Sequence, residues 1–473
     1  MGLIKLGYDS FKMQLDKAAD FFSSFDKNKQ VKVISHYDAD GICSAALIIE
    51  LLNLKGMGYC INVVSQLDDD ILKNISMEEY QQYIFTDLGS VFVDKISRVI
   101  KNGKVLILDH HRTGAVVETP NICHVNPHLH NIDGSKEVSG SGVCYLFAER
   151  VCNIKNLSHL PIVGAIGDSQ ANHGLRGLNK QLLHLAEKEG MIQVQNGLRL
   201  FGAHSRPLPK LLRNSYDPFI PGITGNFKGA LEFLRKLGIN HKDGRKNRML
   251  YDLSESELKN LGDAIIEKCP NMNKKKLFGK IYTVCNETGS FRDGREYATV
   301  LNGCGRLDKS TVGIAACLGD DKMKIKALEM QEEYRRELQA ILSWFKSNKN
   351  SGDVHISPKY IIVNCKRNVP SSMAGTFASI IAYSEEVENG AFVLTLSRLE
   401  NNSTKVSVRL KGRSDKVDLN SIISKIVRIV GGQSGGHSNA AGAIIDTCKE
   451  IDFINQAKRT FEEFSLIEDV TRG

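Results

Sequence analysis

The stretch VKVISHYDADGICSAALIIELLNLK (31–55) decides how the rest of the chain is read. VKVISH (31–36) is a β-branched run that ends on polar side chains, and ICSAALIIELLNLK (42–55) is rich in helix formers. A buried strand therefore feeds a helix across HYDADG. Working outward, INVVSQ (61–66), YIFTDL (83–88) and KVLILDHH (104–111) repeat the theme. Each is a short apolar run closed by Asp, His or Ser. Strands alternating with helical segments predict a parallel sheet with both faces covered. Such a sheet presents ligands at the carboxyl ends of its strands, where the polar residues at 36–40, 86–90 and 109–112 fall.

Beyond this module the pattern changes. Residues 137–190 read as helical, and 311–347 as one long helix with charges of both signs at i,i+4 spacing. Between them, about 195–300 shows weak periodicity and two basic clusters, HKDGRKNR (241–248) and NKKKLFGK (273–280). From about 353 the signals are β: HISPKYIIVNC, AFVLTLSRL and STKVSVRLK, the last two joined by a hairpin at ENN. A helix at about 418–430 and the glycine-rich GGQSGGHSNAAGA (431–443) follow. The expected fold class is α/β. A parallel-sheet domain (1–195) precedes an inserted module (196–300), a connecting segment with a long helix (301–350) and a smaller α/β domain (351–473).

Composition narrows the setting. The chain has 473 residues, enough for two to four domains, and its 42% hydrophobic and 25% charged content exclude a fibre or wholesale disorder. No apolar run approaches the 18 residues of a membrane span. The N-terminus shows no secretory signal, and Leu6 stands where myristoylation needs Ser or Thr. The eleven cysteines form no C-x-x-C pair and sit mostly in apolar runs, which predicts buried thiols in a cytoplasmic protein with no membrane attachment. A net charge of +8 permits a polyanionic partner without requiring one.

Four short motifs share one chemistry: His36, Asp38 and Asp40 in HYDADG, Asp87 in TDLGS, Asp109, His110 and His111 in LDHH, and Asp168 in GAIGDSQ. An Asp after a strand is usually a helix cap or a turn residue. Several carboxylates at adjacent strand ends, however, repel one another unless a cation neutralises them. Mixed Asp and His donors suit manganese, zinc or iron. Two such ions about 3.5–4 Å apart clamp a phosphate and activate water for in-line attack, and Asp87 is the natural bridge.

In this order, HYDADG, TDLGS, LDHH and GD resemble the four motifs of the DHH phosphoesterase superfamily. GGQSGGHSNAAGA resembles the GGH motif of the DHH-associated domain. NGCGRLDKSTVG (302–313) is similar to the NAAGR-type segment of RecJ nucleases, with Cys304 in place of the second alanine. Length and layout resemble the archaeal RecJ-like exonucleases, including the GINS-associated nuclease. The resemblance implies two divalent ions, with Mn²⁺ favoured and Mg²⁺ the alternative. Asp38 and Asp87 would bind the first, with His36 a ligand or a neighbour, since it lies two residues before Asp38 where many relatives have four. Asp40, Asp87, His110 and Asp168 would bind the second. Asp40, Asp109 and His111 form the implied catalytic set, with His111 on the scissile phosphate and Asp109 orienting the motif.

The resemblance also implies a phosphate grip made by Arg306, by Ser407 and Arg409 of an S-x-R pattern, and by Gly435, Gly436 and His437 of the GGH motif. The expected function is metal-dependent exonuclease action on single-stranded nucleic acid. DNA and the 5'→3' direction are favoured, with a place in DNA replication or repair and GINS or other replication proteins as candidate partners. The alternatives are an oligoribonuclease or small-molecule phosphodiesterase, a 3'→5' RNA exonuclease, and a non-catalytic replication scaffold. In the middle module, Phe201, Tyr216, Phe219 and Phe227 show no spacing that defines a stacking platform.

Overall fold

The structure is a computed structural model. It describes all residues except Met1, 115–118, His173, 216–217, 271–276, 385–386, 413–416, 438–439 and 471–473. The chain divides into two compact units, Met1–Gln331 and Glu332–Gly473.

The first unit opens with α1 (Gly2–Ser23), β1 (Val31–His36), α2 (Ala39–Leu54), β2 (Tyr59–Val64), α3 (Asp69–Met77) and β3 (Gln82–Thr86). It continues with α4 (Val93–Val99), β4 (Lys104–Leu108), β5 (Ile122–Val125), α5 (Gly140–Val151), α6 (Leu160–Gly167) and α7 (Gly177–Lys188). The five strands form a parallel sheet in the order β2–β1–β3–β4–β5. Side chains alternate between its faces, as the two-residue period of a strand requires. Ile84 and Leu106 join the core under α2, α5 and α6, while Phe85 and Ile107 join the core under α3 and α4. Both faces are thus covered. Every residue from Ala39 to Ile49 is buried, which suits a helix apolar on all sides. The chain moves from β1 outward to β2 and then back across to β3. This reversal opens a crevice at the carboxyl ends of β1 and β3, the binding position in open α/β sheets. Strand β5 (ICHV) has no counterpart among the strands expected from sequence. It is four residues long, and two of them are half-buried.

Next come β6 (Ile192–Leu198), α8 (Leu208–Arg213), α9 (Phe227–Lys236), β7 (Lys242–Asp243), β8 (Lys246–Asn247), α10 (Glu255–Lys268) and β9 (Phe278–Val284). β6 pairs antiparallel with β9, so the chain leaves for the middle module and returns side by side. Between the two strands lies a separate core that includes Leu208, Leu211, Phe233, Leu261 and Leu277. The weak periodicity reflects helices of 6, 10 and 14 residues split by loops. α11 (Gly294–Arg306) and α12 (Ser310–Cys317) then pack Tyr297, Leu301, Cys304 and Ile314 into the first core.

The single helix expected over 311–347 is in fact two, α12 and α13 (Asp321–Asn348). Gly319 ends the first in the left-handed region at φ +92°. The Asp320 carboxylate then accepts the Lys322 and Met323 N–H groups at 2.9 and 3.1 Å and starts the second.

The second unit holds β10 (Val354–Ser357), β11 (Tyr360–Lys366), α14 (Ser371–Tyr383), β12 (Phe392–Arg398) and β13 (Ser403–Leu410). α15 (Leu419–Val430), β14 (Gln433–His437), β15 (Ala440–Asp446) and α16 (Glu450–Val470) complete it. The strand order is β10–β11–β12–β13–β15–β14, antiparallel except for β11 with β12. One face packs on Ile422 and Ile426 of α15 and on Phe453 and Phe461 of α16. Phe461 stacks on Phe392 at 4.4 Å. The glycine-rich stretch is the strand pair β14–β15. The cysteines are free; six are buried and Cys448 is exposed. Among the described residues, no helix is long and apolar enough to cross a membrane.

Candidate metal centre

The four acidic and histidine motifs converge on the crevice at the ends of β1 and β3. Just past β1, Asp38 plays both roles open to it from sequence. Its Oδ1 caps α2 by accepting the Gly41 N–H at 3.0 Å, and its Oδ2 lies 3.0 Å from His36 Nδ1. Just past β3, Asp87 takes a left-handed backbone at φ +58°, a conformation that Asp and Asn tolerate better than most residues. Its Oδ2 is 3.6 Å from His36 Nδ1, and its Oδ1 is 3.2 Å from His110 Nε2.

His110 fixes the sign of the site. Its Nδ1 lies 2.7 Å from the Gly134 carbonyl oxygen, which can only accept, so Nδ1 carries the proton. In the neutral ring, Nε2 then directs a lone pair at Asp87 Oδ1, at Asp40 Oδ2 (3.8 Å) and at Asp168 Oδ2 (4.0 Å). Asp87 Oδ1 is buried without a hydrogen-bond partner among the described residues. Acceptors facing acceptors in a buried site are costly unless a cation lies between them. A ring nitrogen pinned to a carbonyl while its partner faces carboxylates is also the usual pose of a metal-ligating histidine. Three sets of donor atoms each lie within 4.8 Å of one another: His36, Asp38 and Asp87; Asp40, His110 and Asp168; and Asp87, His110 and His111. The residues present fit divalent ions, and Asp87 belongs to two of the sets.

Electrostatics agree. Burial, then the neighbouring Asp87, pushes the Asp40 carboxyl up to about 7. Burial also raises Asp168, with Asp38 and Asp87 adding to it. Burial lowers the His110 pKa, but Asp87, Asp168 and Asp40 more than reverse this and hold it well above its ordinary value. Without a cation, the centre takes up protons to relieve its own repulsion.

The ligands are held from behind. Asp40 accepts the Gly140 N–H at 2.6 Å, the Ser141 N–H at 3.0 Å and the Ser141 hydroxyl. Gln170 donates to Asp168 Oδ2 at 2.7 Å and is itself held by Asn179 at 2.6 Å. Asp109 accepts from Ser90 N–H, His110 N–H, His111 N–H and His111 Nδ1 at 2.7–3.1 Å. That saturation makes Asp109 a brace for the two histidines, and it belongs to none of the three donor sets. Glycines allow the close packing. A Cβ at Gly140 would lie 2.3 Å from Asp87 Oδ1, and one at Gly164 would lie 2.2 Å from Asp40 Oδ1.

Arg306 reaches the same crevice. Its guanidinium stacks on the Tyr37 ring at 4.7 Å and donates to the Tyr37 hydroxyl, inside HYDADG. Asn302 accepts the Ala39 N–H at 3.0 Å, and a Cβ at Gly305 would lie 1.7 Å from the Tyr37 carbonyl oxygen. The NGCGR segment is therefore docked on the first acidic motif. The remaining predicted residues lie in the second unit. Ser407 on β13 is in register with Gly442 on β15, and Gly442 with Gly435 on β14, so the S-x-R and GGH motifs share one sheet. Arg409 donates to Ser379 at 3.0 Å. Gly436 has φ +126°, open only to glycine. The backbone of His437 ends β14; its side chain lies outside the described residues.

Residues 30–165 match the DHH family N-terminal domain, 200–277 the DHH-CID domain and 357–464 the DHHA1 domain. An uncharacterised protein of Methanocaldococcus jannaschii is 30% identical over 444 residues, covering 92% of this chain and 93% of its own. The chain belongs to the DHH phosphoesterase family. As a DHH phosphoesterase it is a hydrolase with a RecJ-like architecture. The structure of Thermus thermophilus RecJ in complex with Mn²⁺ matches 95% of this chain with a TM-score of 0.58 at 17% identity, and this chain spans 55% of that one. CDC45 of Entamoeba histolytica matches 96% of this chain and 99% of its own, with a TM-score of 0.59 at 11% identity. Both likenesses show the fold.

Sequence reasoning about this DHH phosphoesterase missed Ser141, Gln170, Asn179, Tyr37 and Asn302. Ser139–Gly142 (SGSG), opening α5, was the available signal. A Ser-Gly run at a helix start exposes N–H groups to an anion, and here that anion is the Asp40 carboxylate. Ser141→Ala removes one of three donors and is expected to weaken Mn²⁺ binding about 10–100-fold with the fold intact. Titration calorimetry on the metal-free protein measures this.

Proposed function

We propose that this protein is a metal-dependent exonuclease hydrolysing phosphodiester bonds of single-stranded nucleic acid, DNA in the 5'→3' direction first, in DNA replication or repair. The observation that carries the reading is the pair of donor sets His36, Asp38 and Asp87, and Asp40, His110 and Asp168, joined where Asp87 Oδ1 and His110 Nε2 face each other across 3.2 Å. His36, Asp38 and Asp87 would hold one ion, and Asp40, Asp87, His110 and Asp168 the other. Mixed Asp and His donors favour Mn²⁺ over Mg²⁺. Ions held there supply Lewis-acid polarisation of the phosphoryl oxygens and activation of water.

The chain's own groups would do the rest. Asp109 holds His111 Nδ1 at 2.8 Å and sets the ring for contact with the scissile phosphate through its other nitrogen. Burial lowers the His111 pKa, but Asp109 more than offsets this and raises it above the ordinary histidine value, which favours the cationic ring a phosphate would attract. Arg306, steadied on Tyr37, would take a non-bridging phosphate oxygen. Ser407, Arg409, Gly435, Gly436 and His437 would grip the strand in the second domain. The likeness to exonuclease RecJ bound to manganese supports the exonuclease reading and the choice of ion. GINS or other replication proteins are proposed as partners on the sequence resemblance.

Digestion of single-stranded DNA and RNA, labelled at either end, in Mn²⁺ tests the proposal. The expected result is stepwise shortening of DNA from its 5' end. Shortening from the 3' end overturns the direction. Turnover of dinucleotides with none of a 30-mer overturns the exonuclease reading in favour of an oligoribonuclease.

A further inference from the structure

The basic run 241–248 separates into two functions in the folded protein. Arg248 is a structural brace: it pairs with both Glu257 oxygens at 2.9 and 2.7 Å and donates to the Asn240 and Asp252 carbonyls at 3.0 and 2.9 Å. This locks the base of the β7–β8 hairpin, where Lys242 pairs with Asn247 and Asp243 with Lys246 across a turn at Gly244 (φ +57°). Lys242, Arg245 and Lys246 are exposed on that hairpin and form no ion pair among the described residues. Asn240, Lys242, Asp243, Lys246, Arg248 and Asp252 line a cleft of about 360 Å³. Between Arg248 and Asp252 the chain makes a short 3₁₀ turn (Leu250–Asp252) that leaves Tyr251 52% exposed. The Tyr251 ring is not loose: its inner face stacks on buried His204 at 4.8 Å, with the planes 23° apart.

Unpaired cations on a braced hairpin beside an exposed aromatic with one face already supported are the two elements of a single-strand binding surface. The cations follow the phosphates by counterion release, and the ring offers its open face to a base. An acidic protein surface would use the cations and leave the aromatic unexplained. We infer that the β7–β8 hairpin and Tyr251 form a binding surface for single-stranded nucleic acid outside the metal centre, holding the substrate strand away from the point of cleavage. The inference rests on the proposed nuclease activity for its biological sense and on the hairpin geometry for its physics.

The test measures binding apart from turnover. Fluorescence anisotropy with a labelled 30-nucleotide strand, as DNA and as RNA, is read in EDTA over a range of salt. The proteins are the wild type, K242A/R245A/K246A, Tyr251→Ala and Tyr251→Phe. The triple variant is expected to bind at least about tenfold more weakly at 0.1 M salt, with its salt slope smaller by about 2, as loss of three phosphate contacts predicts. Tyr251→Ala is expected to lose affinity about fivefold or more, and Tyr251→Phe to keep it. Hydrolysis of a dinucleotide in Mn²⁺, which is too short to reach a second surface, should be unchanged in every variant. A triple variant with wild-type affinity and salt slope, or a wild type that binds neither strand, overturns the inference. Wild-type protein that binds the strand and hydrolyses nothing leaves this surface standing and overturns the nuclease reading instead.

Discussion

Replacing Asp87 with asparagine should lower phosphodiester hydrolysis by about a thousandfold or more while making the metal-free protein harder to melt at alkaline pH, where the His110 ring is neutral. Asp87 belongs to the His36, Asp38 and Asp87 set and faces His110 Nε2 of the other proposed ion site at 3.2 Å, so its loss removes charge beside both. Divalent ions contribute several kcal/mol of charge stabilisation in phosphoryl chemistry, and about 4 kcal/mol is a factor of a thousand. The effect on stability runs the other way. Asp87 is 1% exposed, its Oδ1 has no hydrogen-bond partner among the described residues, and it faces His110 Nε2. An asparagine amide can donate into that gap and removes a buried charge. Asparagine also tolerates φ +58°, so the backbone should not object. Turnover on a labelled oligonucleotide and thermal melting in EDTA together check both halves. A variant that is inactive and melts lower than wild type would mean that Asp87 serves the fold.

The second large effect is a reversal of pH dependence by metal. In the metal-free protein Asp40 is pushed up to about 7, so between its ordinary value and 7 the folded state holds a proton that the unfolded chain releases. That contribution is fully present at acid pH and is lost as pH rises through about 7. His36 and His110 are likewise raised: burial lowers each, and adjacent carboxylates more than reverse it. Their contribution is complete below the ordinary histidine value and is lost as pH rises through the higher folded values. Asp38 and Asp109 are held low and act only in the acid range, below their ordinary value. Stability in EDTA should therefore fall from about pH 5.5 to pH 8.5. Mn²⁺ takes the place of the protons, so the rise in melting temperature on adding Mn²⁺ should be larger at pH 8.5 than at pH 6. Equal rises at both pH values would show that no protons are displaced. Asp40→Asn should flatten the EDTA slope.

Much of this was legible in the chain because the signals are local. The strand VKVISH and the helix after it show their periods within a few residues, and the motif residues cap those elements, so position and chemistry coincide. The long helix at 311–347 was misread because its amphipathic pattern runs on through Gly319-Asp320, and only backbone φ and the Asp320 cap reveal the break. Strand β5 escaped because two of its four residues are half-buried, too few for a period. The supporting residues were hidden for another reason. Ser141 and Asp40 are 101 positions apart, and Asn302 and Ala39 are 263 apart, so no spacing rule connects them. The basic run 241–248 illustrates the limit of reading charge from sequence. Arg248 and Lys246 look alike in the string, yet one is spent on Glu257 and the other faces solvent.

The most direct test of the central claim is the electron paramagnetic resonance of the Mn²⁺-loaded protein, together with the number of ions bound. Two ions per chain with the spin-coupled signal of a bridged pair, and loss of that coupling in Asp87→Asn, are the predicted result. Tight binding of a single uncoupled ion, or coupling that survives Asp87→Asn, would contradict it.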